Sequence, residues 1–246
     1  MGTIEPMTFA SRATPLAAGL AVLVAVSACG SPSTEPATST PRPTATAKPT
    51  PTPKPLPPDT ESVTVVGTGV GTWQLVTIPV AVVRNEATRH GVTNVVVHFA
   101  TFGAGGAPLE QLNSVAVDIP PGAAIPVTAD CTDACNNAVS VTATLSGAKW
   151  VESRGIGFAA AAVTYSCGGC GGHTDGNVTA TLTSSIPVPL NSAVVLFAEC
   201  VDGGGGIVGG GSGQIVWPGG TSTPVNVSVI VNTAPAGCTV AASTGW

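Results

Sequence analysis

A shift of 98 positions lays the second part of this chain on the first without a gap. Val80–Cys131 then falls on Val178–Val229, and Val96-Val97-His98-Phe99-Ala100 on Val194-Val195-Leu196-Phe197-Ala198. Gly105 and Gly106 meet Gly203 and Gly204, Ser114 meets Ser212, and Pro120 and Gly122 meet Pro218 and Gly220. Pro126-Val127 meets Pro224-Val225, and the apolar Ile119 meets Trp217. A register that keeps Phe, Pro and Gly in place over fifty residues marks a duplicated unit, so whatever fold one copy adopts the other must accept.

The unit is a β unit. Hydrophobic residues make up 43% of the chain and are chiefly Val and Ala, interleaved with Thr and punctuated by 31 Gly and 22 Pro. Such a mixture suits short strands joined by turns and offers little to a helix. Apolar or alternating runs at Val63–Val66, Gln74–Val83, Val92–Phe102, Asn113–Ile119, Ile125–Cys131 and Val139–Leu145 predict six or seven strands in about ninety residues, an immunoglobulin-like count. Phe99 and Phe197 are expected on the central strands, facing the core. Gly103–Gly106 and Gly203–Gly206 are expected at hairpin tips, and the longer run to Gly213 reads as a flexible hairpin. The expected fold is all-β: two tandem immunoglobulin-like sandwiches over residues 62–153 and 154–246.

Residues 1–61 are of another kind. Arg12 precedes an apolar run from Leu16 to Ala28, which is shorter than the roughly 20 residues a membrane span needs. That run leads directly into Val26-Ser27-Ala28-Cys29. Either Met1 or Met7 could open the segment. Gly30–Asp59 is almost wholly Ser, Thr, Pro and Ala, with nothing to bury, and is expected to be a disordered, extended tether. Val26–Cys29 resembles the bacterial lipobox. The resemblance implies that residues 1–28 are a signal peptide and that Cys29 carries acyl chains such as palmitate at the new N-terminus. It also implies that the chain stands on the extracytoplasmic face of the cell membrane, because two acyl chains anchor stably where one does not.

A second resemblance concerns the repeat. The segment Val80-Ala81-Val82-Val83-Arg84-Asn85, then Phe99-Ala100-Thr101-Phe102, then Pro121-Gly122 is similar to the FxLYD-type domain, a small bacterial extracellular sandwich. Copy two keeps Phe197, Asp202-Gly203 and Pro218-Gly219 but has Thr183 in place of the Asn; neither copy has the Leu-Tyr-Asp element. What the resemblance implies is a surface or wall-associated module.

Six cysteines follow Cys29: Cys131, Cys135, Cys167, Cys170, Cys200 and Cys238. An even number in an exported chain reads as disulfides, and six allow 15 connectivities. The pairing expected is Cys131–Cys135, Cys167–Cys170 and Cys200–Cys238. Cys167-Gly-Gly-Cys170-Gly-Gly-His173 is the sharpest local motif, but a reactive Cys-x-x-Cys needs a helix N-terminus or a cation to lower a thiol pKa. Its flanks are a strand-like run and glycines, and zinc would require a fourth ligand.

Other candidates are weaker still. His90, His98 and His173 lack the G-x-S-x-G context of a hydrolase nucleophile, and His98 is expected to be packed or on an edge. Asp130 and Asp133 could hold calcium, though solvated turn residues are the simpler reading. The tryptophans raise the idea of a sugar platform, but Trp217 aligns with Ile119, and Trp150 and Trp246 recur at the copy ends. A net charge of -5 with only 8 Lys and Arg excludes nucleic acid as partner. The function expected is that of a non-enzymatic binding or structural module of the cell envelope. It would hold the membrane through Cys29 and touch wall polymer or a surface protein, with no catalytic residue, metal or cofactor. The alternative is a thiol-disulfide redox lipoprotein using Cys167 and Cys170.

Overall fold

In a computed structural model, the described residues are 60–131, 133–152, 157–167 and 174–244. The signal, Cys29 and tether expectations lie outside them, as do Arg154, Cys170, His173 and Trp246. The described residues all belong to one compact unit.

The described residues are all-β, with antiparallel sheets, two short 3-10 turns and no α-helix. The first half contributes β1 (Val63–Trp73), β2 (Val76–Asn85), β3 (His90–Phe102), β4 (Pro108–Ile119), β5 (Ala124–Thr128), β6 (Ser140–Ser146) and β7 (Lys149–Glu152). The second contributes β8 (Phe158–Cys167), β9 (Thr174–Val188), β10 (Ala193–Val201), β11 (Ile207–Val216), β12 (Gly220–Val231) and β13 (Gly237–Thr244). Hydrogen-bonded order in the first half is β1-β2-β5 and β4-β3-β6, with β7 also on β3. In the second half β8-β9-β12 and β11-β10-β13 repeat that order and are joined by a short β11–β12 contact. The repeat is therefore one of topology. Phe102 faces Ser140 across β3 and β6, and 98 residues on Cys200 faces Cys238 across β10 and β13.

Residue pattern explains these strands. In β12, Thr223, Val225, Val227, Val229 and Val231 are buried while Ser222, Pro224, Asn226 and Ser228 are exposed, the two-residue period of a half-buried strand. Pro126 and Pro224 fall on stretches paired on one side only, where a missing N–H costs nothing. Asn85 at the end of β2 is fully buried. Its Nδ2 donates to the carbonyls of His90, Ile119 and Pro120, and its Oδ1 accepts from Ala87 N, so one side chain fastens two turns. The hydroxyl of Thr183, its counterpart in copy two, donates to the Ala159 carbonyl within its own sheet and fastens no turn.

Three expectations change. Strand β1 continues through Gly67, Gly69 and Gly71 to Trp73, well past Val66. The glycine run to Gly213 is a hairpin only at its tip, where Asp202 Oδ1 accepts from Gly204 N and Gly206 N; Gly209, Gly210 and Gly211 are buried inside β11. Phe99 and Phe197 are both buried, but Phe197, with Val195 and Ala241, packs against the core of the first half. The second half's own core takes Val194, Leu196 and Ala198 from the opposite face of β10, with the fully buried Trp217.

The halves are thus nested. β2 and β5 are buried on both faces, because the β1-β2-β5 sheet lies between β4-β3-β6 and the second half. On β1 every second residue is glycine on the side toward β11 and β12. A Cβ on Gly71 would lie 1.9 Å from the Ile230 carbonyl oxygen, and one on Gly69 would lie 2.4 Å from that of Ile207. Glycine in a strand interior marks a close backbone approach, and these glycines supply it. Asn232 closes the contact: Thr72 N donates to its Oδ1 and its Nδ2 donates to the Val70 carbonyl, each at 2.7 Å, so an amide side chain pairs the free edge of β1.

Glu199 stands on the face of β10 turned to the first half. Burial pushes its carboxyl above the ordinary glutamate range, partly opposed by the Thr239 hydroxyl that donates to it. A raised folded-state pKa disfavours the fold once the group ionises, so this contribution vanishes at low pH and grows as pH rises through the shifted value. Glu199→Gln is expected to raise the melting temperature at pH 7 by a few degrees at most and to leave it unchanged at about pH 3, in paired thermal melts.

Candidate functional site

Cys131 and Cys135 form a disulfide, as do Cys200 and Cys238. The first closes the loop after β5. Cys131 N donates to the Thr77 carbonyl, and the Thr77 hydroxyl donates to that of Cys135. Glu110 brings a carboxylate oxygen to 3.0 Å from Cys135 Sγ, and Glu110, Cys131 and Cys135 have donor atoms within 4.8 Å of one another. With both sulfurs in a disulfide neither is the thiolate that a soft metal needs. Cys200 and Cys238 sit directly opposite on β10 and β13, their Cα atoms 4.1 Å apart. Cys167, at the end of β8, is disulfide-bonded as well.

His98 is neither packed nor at an edge. It is exposed on β3, the central strand of its sheet, with Nδ1 2.7 Å from Asn113 Oδ1 on β4 and Nε2 2.6 Å from Ser146 Oγ on β6. The order hydroxyl, imidazole, amide oxygen is that of a nucleophile triad. Acyl transfer needs in addition donors aimed at an oxyanion and a site that sheds water. All three side chains here lie exposed on an open sheet face, and the arrangement works as a cross-strand polar ladder. His90 lies 3.3 Å from Glu61.

A groove of about 330 Å³ opens where the two halves part. Its walls are Trp73, Val76, Ile78 and Asp130 from the first half and Asp175, Gly176, Asn177, Ser212, Ser228, Val229 and Ile230 from the second. The register explains the set. Trp73 is opposite Val76 and follows Gly67, Gly69 and Gly71 in step, so the face that nests by lacking side chains ends in an indole. Across the groove Asp175 is opposite Ile230 and Asn177 opposite Ser228, so these four share one face of the β9–β12 pair. Ser228 Oγ lies 3.4 Å from Asn177 Oδ1. Trp73 is half-buried, and Asp130, Asp175, Ser212 and Ser228 are exposed. Asp133 is exposed in the neighbouring 3-10 turn.

Of the four tryptophans, Trp217 is fully buried, its Nε1 donating to the Gly220 carbonyl and its ring 5.5 Å from that of Phe158. Trp150 packs at the margin of the first core. Among the described tryptophans, Trp73 lines the groove. Sequence reasoning missed it, and the available signal was the alternation Gly67-x-Gly69-x-Gly71-x-Trp73.

No family model and no curated protein matches the sequence. Among solved structures, red sea bream transglutaminase is similar at 14% identity and a TM-score of 0.23, over 77% of this chain and 29% of that one. The chain thus spans less than a third of that protein, and a likeness at this level transfers neither fold nor activity.

Proposed function

We propose that the chain is an exported lipoprotein, held through acyl chains on Cys29 at the outer face of a membrane, whose β body is a non-enzymatic binding module of the cell envelope. The observation that carries this reading is the sequence Val26-Ser27-Ala28-Cys29, set between an apolar run and a Pro/Thr-rich tether. Support comes from the disulfides, which belong to oxidising compartments outside the cytosol. The recessed surface described above suits binding, whereas the exposed His98 ladder lacks what acyl transfer demands. A wall polymer or a surface protein is the partner class.

The second reading, thiol-disulfide exchange at Cys167 and Cys170, draws on the disulfide at Cys167. Cys167 ends a strand, however, and no α-helix among the described residues offers a terminus to lower its pKa. Cell fractionation of the full chain tests the proposal. It is expected with the membrane, accessible to external protease and with its cysteines oxidised in glutathione. Recovery in the cytosol with free thiols would overturn it.

A further inference from the structure

We infer that the groove between the halves is a saccharide site, with Trp73 as the platform and a neutral or amino-bearing sugar as its ligand. The inference rests on the envelope-module reading and narrows its partner to glycan. Three features of the groove argue for sugar. A half-buried indole in the lining can offer a flat apolar face to the C–H face of a pyranose. Around it stand Asp130, Asp175, Asn177, Ser212 and Ser228, whose oxygens and amide can take up the directional hydrogen bonds of several hydroxyls. Val76, Ile78 and Ile230 add apolar surface, so polar and apolar groups share the lining about equally, as the alternating hydroxyl and C–H surface of a sugar requires.

Charge selects among sugars. None of the lining residues is Lys, Arg or His, and two are aspartates. Uronic acids and phosphorylated polymers would meet like charge with no cation to pair them, whereas a neutral N-acetyl sugar meets no penalty and a free amino sugar gains. Preorganisation favours the site too. Its two walls are held in place by the Gly71 contact and the Asn232 bonds, so little ordering is required on binding.

The test is titration calorimetry on the full chain with three probes: N-acetylated chito-oligosaccharide, its de-N-acetylated form, and oligogalacturonate. Binding of at least one of the first two and none of the third is expected. Trp73→Ala should weaken that binding about tenfold or more while Trp73→Phe retains part of it, and Asp175→Ala should weaken the amino form most. If Trp73→Ala fails to fold, as judged by its thermal melt, Trp73→Phe and Asp175→Ala decide. No binding of either amino-sugar probe, or binding unaffected by the decisive variants, overturns the inference. The envelope reading is judged separately by fractionation of the same variants: a chain that stays in the envelope yet binds no sugar loses the groove proposal alone.

Discussion

Gly71→Ala is expected to lower the stability of the folded body by about 2–4 kcal/mol, in denaturant melts against the unaltered chain. An added Cβ 1.9 Å from the Ile230 carbonyl oxygen cannot be absorbed by a side-chain rotation, because the obstacle is backbone. β1 must retreat from β12, and with it go the two bonds to Asn232 and part of the burial on the shared face of β2 and β5. The control is Gly213→Ala, on β11 but with nothing within 4 Å of its Cβ, which should change stability by less than about 0.5 kcal/mol. Equal effects would mean that the halves do not depend on backbone contact. A selective loss at Gly71 would show that the duplicated units are stable as a nested pair.

Removing the Cys200–Cys238 disulfide with a Cys200→Ala, Cys238→Ala double variant is expected to cost about 3–4 kcal/mol, from the closure entropy of a 38-residue separation. The same change at Cys131 and Cys135, only 4 apart, should cost about half as much, since far less chain is constrained. Position adds to the difference. Cys200 is fully buried in the second core beside Leu196 and Ala198, so its loss also leaves a small cavity. Calorimetric melts of the two double variants, with the untreated and reduced parent, would resolve the two contributions. A larger loss at Cys131 and Cys135 would assign the main staple to the loop near the groove.

Much of this fold is legible from period and repeat. The gapless copy carries the strand set of the first half onto the second, and the structure extends the match to pairing, with Phe102 opposite Ser140 as Cys200 is opposite Cys238. The nesting was hidden because glycine in a sequence reads first as a turn. Gly67, Gly69 and Gly71 end an apolar run on paper, whereas in space they extend β1 against another backbone. Phe197 misleads for the same reason: its alignment with Phe99 is sound, but nesting turns its side of β10 toward the other half. His98, Asn113 and Ser146 are scattered in sequence and meet only through the register of three strands. The groove draws on six separate segments, so although Asp130 stands out in sequence as a calcium candidate and Ser212 as a repeat match, nothing in the linear order brings them to one site.

The proposal as a whole depends on the chemistry of one sulfur, and metabolic labelling with an alkyne fatty acid tests it most directly. Cells making the full chain should yield a labelled, membrane-associated band, and Cys29→Ala should abolish the label without altering the melting temperature of the β body. Undiminished labelling of Cys29→Ala, or an unlabelled parent chain recovered from the cytosol, would contradict it.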